Sequence, residues 1–259
     1  MQVDFTGRIA WVTGAARGIG AGIAEAMARG GATVVCADVD VDGVCDTADR
    51  IGGLAQVLDI SDPDAVAAAA EEIRLAHGRL DILINNAGVN TMRHRVTIDL
   101  FPETEWDRIV DIDLKGTYLM SKAAIPLLRG SDAPRIVNIA SIVGLVPLRL
   151  QCAFAAAKAG MVNLTKAMAI ELGSEGILVN AVAPGSTLTE GTKQLFYGDG
   201  GMFRESVQRM LDHVPLGRPG SVDEIARATC FLADPESSYI TGHCLVVDGG
   251  WTAGYHRDF

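Results

Sequence analysis

Short apolar runs alternate with longer helical stretches along the chain, a pattern typical of βαβ units and a parallel sheet. Turn-forming residues bound each apolar run, as expected of buried strands. Seven runs are predicted as strands: residues 8–14, 32–38, 54–60, 80–88, 134–141, 176–185 and 242–250. With no linker or low-complexity segment between them, the pattern predicts one α/β domain over residues 1–259, a doubly wound parallel sheet with helices on both faces.

Helix-start signals support the intervening elements. Asp62 precedes Pro63 at the start of one predicted helix, and Ser221 stands three residues before Glu224 in the pattern of a capping box. Two long helices, 105–129 and 152–173, are rich in small residues that permit close helix approach.

Two segments, 88–103 and 184–220, carry little regular signal, and each follows a predicted strand. In a parallel sheet both would leave from the carboxyl edge, where such folds bind ligands. We therefore expect them to cover a substrate, with residues 186–215 forming a lid.

Charge and composition narrow the function classes. The 22 basic and 32 acidic residues give a net charge of −10, which disfavours nucleic acid as a partner. Mean hydropathy is only +0.24, and no apolar run reaches the length of a membrane span. The amino terminus lacks signal-peptide features, so a cytoplasmic enzyme is expected. Five scattered cysteines and five histidines show no metal-binding spacing, and no metal is predicted.

A glycine-rich turn, "TGAARGIG" (13–20), follows the first predicted strand and opens into a helix. Such a turn lets the backbone approach a pyrophosphate, and the new helix's N–H groups favour its negative charge. Gly14, Gly18 and Gly20, with Ile19 between them, are the resulting cofactor candidates, although glycines also form plain strand-to-helix turns.

Asp38 ends the second predicted strand, eighteen residues beyond Gly20. A carboxylate there accepts hydrogen bonds from ribose hydroxyls and repels a 2′-phosphate, which favours NAD over NADP. Arg17 in the glycine turn offers a phosphate some compensation, so NADP stays the less favoured alternative.

The turn, together with "LDI" (58–60), "NNAG" (85–88) and "PGSTLT" (184–189), resembles the short-chain dehydrogenase/reductase family in order over nearly the whole chain. This resemblance implies a Rossmann-type fold, an NAD(H)-dependent oxidoreductase and further residues around the cofactor. Those residues are Asp59, Ile60, Asn86, Ala87, Gly88, Lys158, Pro184, Gly185, Thr187 and Thr189.

The resemblance also implies a catalytic set of Ser141, Lys158 and two positions at which this chain departs from the family. Ser141 would hold the substrate oxygen, and Lys158 would lower the pKa of a tyrosine while gripping the nicotinamide ribose. The tyrosine position is Phe154, and the position of the family's water-anchoring asparagine is Asp113.

Phe154 keeps the ring and loses the hydroxyl, which predicts intact packing and cofactor binding but impaired proton transfer. Three explanations stay open: a substitution made to trap substrate, a natural variant with another proton source or another chemistry, or a catalytically silent NAD-binding module.

Polar residues near the predicted cleft suggest a substrate. Cationic and amide side chains that line one cleft would suit a sugar, polyol or sugar acid. The enzyme would interconvert an alcohol and a ketone, or a hemiacetal and a lactone, on such a substrate. Solvated loop residues are the plain interpretation, and a 3-oxoacyl-carrier-protein reductase is the competing activity. The candidates are Asn90, Arg93, His94, Arg95, Arg149 and Gln151.

The carboxyl-terminal tail, residues 250–259, is too apolar for a free end and is predicted to lie at a subunit interface. The family resemblance implies a homotetramer built on helices 105–129 and 152–173.

Overall fold

The computed structural model describes residues 3–91, 94–189 and 205–254. Seven strands form its central sheet: β1 (Ile9–Thr13), β2 (Thr33–Asp38), β3 (Leu54–Val57), β4 (Ile82–Asn85), β5 (Arg135–Ile139), β6 (Leu178–Pro184) and β9 (Cys244–Val247). Two short strands, β7 (Thr187–Leu188) and β8 (Gly220–Ser221), pair with each other outside that sheet.

Helices lie between the strands. They are α1 (Gly18–Arg29), α2 (Val41–Ile51), α3 (Pro63–His77), α4 (Glu103–Val110), α5 (Thr117–Leu128), α6 (Cys152–Leu172), α7 (Glu205–Leu211) and α8 (Val222–Ala233). None of the helices in the described ranges is long and apolar enough to cross a membrane.

The strand order is β3-β2-β1-β4-β5-β6-β9, and every pairing in this sheet is parallel. The predicted doubly wound Rossmann-type sheet is therefore confirmed, and all seven predicted strands are present. The order reverses between β1 and β4, which is the topological switch point where such sheets bind ligands beyond the carboxyl ends of their strands.

Alternate side chains of the buried strands point to opposite faces of the sheet and pack into two apolar layers, one on each face. On one face Val12 packs with Ile23 of α1 and Ile225 of α8. On the other face Trp11 packs with Met120 of α5. Burial on both faces explains why the strand sequences are continuous apolar runs rather than alternating ones.

The predicted helix starts are confirmed. Asp62 accepts hydrogen bonds from the backbone N–H groups of residues 64 and 65, with Pro63 in the first turn. Ser221 and Glu224 form the reciprocal bonds of a capping box. These caps satisfy orphan N–H groups and fix where each helix begins.

The long helix predicted over 105–129 differs in one respect. A π-helical turn, Asp111–Gly116, separates α4 from α5. Sequence periodicity does not distinguish a π turn from an α turn, and such turns often occur at functional sites.

The predicted lid, 186–215, falls partly on residues 190–204, outside the described ranges; its last part includes α7. Of the tail, residues 250–254 are described. Trp251 is half-buried and packs within the chain, in an apolar cluster that also includes Leu148 and Phe154. The lid and the interface role of the tail stay predictions.

Candidate active site

The glycine turn between β1 and α1 is held against the end of β4. The Asn86 Nδ2 donates to the carbonyl oxygens of Thr13 at 2.9 Å and Gly14 at 3.1 Å. A Cβ on Gly20 would fall 2.1 Å from the Gly14 oxygen, and Gly14 itself has φ +65°. These two glycines therefore close a turn that a larger residue would open.

The first turn of α1 presents free backbone donors. Its N-cap residue, Arg17, is extended and makes no side-chain capping bond, and no acidic residue occupies the first turn of this fully described helix. By contrast, α2 and α3 are capped by aspartates. Gly18, at φ +59°, and Ile19 thus start a helix suited to an anionic group such as a pyrophosphate.

Asp38 lies at the carboxyl end of β2, beside this turn. Its two oxygens accept hydrogen bonds from the backbone N–H groups of Ala16 and Asp40, each at 3.0 Å. These bonds fix the carboxylate, and its remaining lone pairs can accept from hydroxyl groups. Arg17 is mostly exposed, with its guanidinium 3.2 Å from the Asp40 carboxylate.

The next two adenosine-side candidates differ in exposure. Asp59 is exposed and accepts two hydrogen bonds from Ser61. Ile60 is buried, and its side chain lies against Gly116 at the end of the π turn, where a Cβ would meet it at 2.7 Å. Ile60 therefore joins β3 to the helical layer as well as bordering the predicted cofactor site.

The "NNAG" segment continues from β4 across the same edge. The N–H groups of Asn86 and Ala87 both donate to the Thr13 hydroxyl, at 2.9 and 3.0 Å. Gly88 lies beside Asp113, whose Oδ2 would be 3.1 Å from a Cβ at that position. This segment thus links the cofactor turn to the second candidate centre.

The remaining cofactor candidates lie at the end of β6 and just after it. Pro184 ends the strand, and a Cβ on Gly185 would meet the Asp248 backbone at 2.8 Å. Thr187 donates through its hydroxyl to the Gly185 carbonyl at 3.2 Å. The Thr189 side chain lies 3.5 Å from where a Gly18 Cβ would be, so this segment reaches the glycine turn.

Ser141 follows β5 and begins a 3₁₀ turn, Ile142–Gly144. Its hydroxyl oxygen accepts a hydrogen bond from the Val143 N–H at 3.2 Å. Ile142 and Val143 pack with the Phe154 ring, so one apolar cluster joins the serine turn to α6. The turn that follows Ser141 is thereby packed against Phe154.

Lys158 is buried one turn farther along α6, with 4% of its surface exposed. Its Nζ donates to the Ile139 carbonyl at 3.1 Å. The same Nζ lies 3.3 Å from the Asp113 Oδ2 and 5.8 Å from the centroid of the Phe154 ring. Lys158 therefore lies beside both residues that depart from the family pattern, Asp113 and Phe154.

Asp113 is fully buried within the π turn. Its Oδ1 accepts a 2.7 Å bond from the Val89 N–H, and its Oδ2 makes the ion-pair approach to Lys158 without hydrogen-bond alignment. Burial raises the pKa of the Asp113 carboxyl, an effect that outweighs the opposite influence of the Lys158 charge.

A buried polar chain behind the site was not singled out from the sequence. Asn85 donates to Ser121 at 3.0 Å and to Asn138 at 2.8 Å, and Asn138 donates to Thr165 at 2.8 Å. This chain joins β4 and β5 to α5 and α6, fixing the helices that carry the site. The polar residues interrupting apolar strands were the available signal.

The substrate candidates are less closely grouped. Gln151 is buried at the start of α6, while Asn90, Arg95 and Arg149 are exposed. His94 is half-buried, with Nδ1 3.9 Å from a Glu105 carboxylate oxygen. Arg93 lies outside the described residues.

Among the described residues, no group of three histidine, cysteine, aspartate or glutamate side chains is placed to hold a metal ion.

Residues 14–252 match the family model for enoyl-(acyl carrier protein) reductase. The chain is 39% identical over 252 residues to 3-oxoacyl-[acyl-carrier-protein] reductase FabG of Escherichia coli strain K12, covering 96% of this chain and 98% of that protein.

Solved structures extend the likeness to the fold. A 3-ketoacyl-(acyl-carrier-protein) reductase from Brucella melitensis, complexed with NADH, is 35% identical, covers 96% of this chain and 100% of its own, and gives a TM-score of 0.87. A structure described as ribose-5-phosphate isomerase from Brucella melitensis 16M is 36% identical at a TM-score of 0.88, with coverage of 98% and 99%. The family match and these near-complete alignments show that the chain is a member of the short-chain dehydrogenase/reductase family of oxidoreductases.

Proposed function

We propose that the chain is an NAD(H)-dependent oxidoreductase that interconverts a ketone and a secondary alcohol. The observation that carries this proposal is the position of Lys158, buried between Asp113 and the Phe154 ring and bonded to the strand that leads to Ser141. A buried lysine held at a fixed position is suited to a redox centre, where it can orient a ribose and assist proton exchange.

The cofactor is NAD(H) rather than its 2′-phosphorylated form. Asp38 is fixed by two backbone N–H groups at the end of β2, and a phosphate placed against that carboxylate would be repelled. Arg17, the cation within the glycine turn, lies within ion-pair distance of Asp40 instead. The relative from Brucella melitensis was crystallised with NADH, which supports the same choice.

The residues present fit such a cofactor. The glycine cradle and uncapped start of α1 would hold the pyrophosphate, Asp38 the adenosine ribose, and Lys158 the nicotinamide ribose. When bound, the nicotinamide supplies or accepts a hydride. Ser141 would donate a hydrogen bond to the substrate oxygen and fix its position. Phe154 would pack beside the substrate but has no proton to exchange.

The substrate class we favour is a 3-oxoacyl thioester. Two apolar side chains in the segment after Ser141, Leu145 and Val146, are 41% and 54% exposed, and such a surface suits an acyl chain better than a sugar. The relative from Escherichia coli is named for reduction of a 3-oxoacyl group.

A small polar substrate, such as a sugar, polyol or sugar acid, is the second candidate. Gln151, buried at the start of α6, is the observation that favours it, since a buried amide is suited to orienting a hydroxyl group. Asn90, Arg95 and Arg149 are exposed to solvent, so they favour this substrate class less than Gln151 does. Because different reactions share this fold, the substrate must be decided by measurement.

Two further expectations stay part of the proposal. A homotetramer built on the faces of α5 and α6 accords with exposed apolar residues there, Tyr118 at 47% and Ile170 at 84%. Light scattering tests this assembly, and a monomer would reject it. A cytoplasmic location accords with the acidic composition.

The test compares the wild-type chain and Phe154→Tyr, each supplied with NADH and an acetoacetyl thioester, and with NAD and a panel of polyols. We expect measurable reduction of the thioester by the wild type and a rate at least about 100-fold higher in Phe154→Tyr, because general acid catalysis contributes on this scale. Tight NADH binding without turnover by either protein would instead identify a catalytically silent module.

A further inference from the structure

The two departures from the family pattern contact one group. Asp113 brings a carboxylate 3.3 Å from the Lys158 Nζ, and Phe154 places an aromatic ring 5.8 Å from the same atom. One residue removes a proton-exchanging hydroxyl, and the other adds a proton-exchanging carboxyl. The position that lost the hydroxyl and the position that gained the carboxyl both lie beside the buried Lys158 side chain.

The surroundings of Asp113 suit proton exchange with that ammonium. Its side chain has no solvent exposure, and its Oδ1 is occupied by the Val89 N–H at 2.7 Å. Its Oδ2 has no hydrogen-bond partner among the described residues and faces Lys158. A buried carboxyl whose second oxygen has no hydrogen-bond partner can take a proton at that oxygen and keep its bond to the Val89 N–H, giving up only the ion pair with Lys158.

We propose that Asp113 holds the exchangeable proton of this site and acts through Lys158 in place of the phenol that Phe154 lacks. The inference rests on the proposed function. In reduction, the substrate carbon gains the hydride and its oxygen takes a proton from the Lys158 ammonium. Lys158 then takes the Asp113 proton, and a proton from solvent restores Asp113 by way of Lys158, which is the member of the pair with some solvent exposure. Ketone, NADH and one proton thus give alcohol and NAD⁺; oxidation runs the same path backwards.

Burial accounts for the pH behaviour that this role needs. It raises the pKa of the Asp113 carboxyl, while Lys158 on α6, the Val89 N–H after β4 and Arg108 on α4 act in the opposite direction. Because the protonated form is the donor in reduction, the reduction rate should fall as pH rises through the folded-state pKa of Asp113. This fall in rate should be absent from the pH profile of a variant in which residue 113 cannot titrate.

The test uses Asp113→Asn in two backgrounds, the wild type and Phe154→Tyr. The matched control is Asp111→Asn, which removes an exposed carboxylate from the same π turn, paired with Lys115 at the surface. NADH binding is measured by fluorescence, reduction of an acetoacetyl thioester is followed against pH, and the carboxylic acid C=O stretch is followed by infrared titration.

In the wild type, we expect Asp113→Asn to lower the reduction rate at least about 100-fold and to leave NADH affinity little changed. In the Phe154→Tyr background, the same substitution should lower the reduction rate less than about tenfold, because the tyrosine supplies an acid of its own. The wild type should show a carboxylic acid band that titrates above the usual aspartate range, is lost in Asp113→Asn and stays in Asp111→Asn.

Equal losses in both backgrounds would overturn the inference, since they would indicate a purely structural aspartate. Unchanged turnover in Asp113→Asn, or a missing infrared band, would overturn it as well. Failure of the proposed function is a separate result: no variant, including Phe154→Tyr, would reduce any substrate, whereas the infrared titration would still decide whether Asp113 holds the proton.

Discussion

Gly144 lies so close to Lys158 that a Cβ at residue 144 would fall 2.6 Å from the Lys158 carbonyl carbon. The turn that begins at Ser141 is thereby packed directly on the backbone of α6. Since Ser141 and Lys158 stand on different elements, this backbone contact sets their spacing. The spacing of Ser141 and Lys158 therefore depends on the absence of a side chain at residue 144.

Gly144→Ala should force the serine turn away from α6. Overpacking of this kind typically costs about 1–3 kcal/mol, and the displaced Ser141 should lower the reduction rate of the Phe154→Tyr form at least about tenfold. Denaturant unfolding and NADH oxidation measure the two effects. Gly173→Ala, at the end of α6 with open space around it, is the control and should not reduce either quantity. Unchanged activity in Gly144→Ala would show that the contact does not position Ser141.

Gly20→Ala should abolish tight NADH binding. The added Cβ would meet the Gly14 oxygen at 2.1 Å and the Asn86 Nδ2 at 2.4 Å, so the cradle must open. We expect NADH affinity to fall at least about 100-fold, because the pyrophosphate relies on closely approaching backbone N–H groups. Titration of NADH fluorescence measures this. Retained affinity would place the pyrophosphate elsewhere.

Asp38→Asn should shift cofactor preference toward NADPH. The substitution removes the negative charge that would face the adenosine ribose in the proposed complex and keeps the side-chain size, although one of the two backbone bonds is lost. A change of about 1.4 kcal/mol would alter the ratio of the two dissociation constants about tenfold. Parallel titrations with NADH and NADPH give this ratio, and Asp42→Asn on the exposed start of α2 serves as the control. An unaltered ratio would remove Asp38 from cofactor discrimination.

The parallel sheet and the tight glycine turn after β1 were predictable because they follow from local rules. Apolar runs bounded by turns locate the strands, and glycines between β1 and α1 mark a close approach. The Lys158–Asp113 contact does not follow from local rules, because it depends on how the π turn that carries Asp113 packs against α6. The buried chain from Asn85 through Asn138 to Thr165 likewise depends on which helix covers which strand. Such contacts are long-range consequences of packing and leave only isolated polar residues as a sequence signal.

Glu224→Gln should weaken the acid resistance of the fold without affecting the cofactor cleft. Bonds from Arg218, and from the Ser221 N–H, lower the pKa of Glu224 to about 2 from an ordinary 4.5. A carboxylate with a depressed pKa stabilises the folded state above pH 4.5, and this contribution disappears as pH falls from 4.5 toward 2. Because the Glu224 side chain is 40% exposed, solvent screening limits the loss to about 0.5–1 kcal/mol at neutral pH. Denaturant unfolding between pH 7 and pH 3 measures this effect. The free energy of unfolding should depend less steeply on pH in Glu224→Gln than in the wild type.

The control is Glu171→Gln, at an exposed position on α6, which should keep the wild-type pH dependence. Equal slopes for Glu224→Gln and the wild type would show that the capping carboxylate contributes nothing to acid stability.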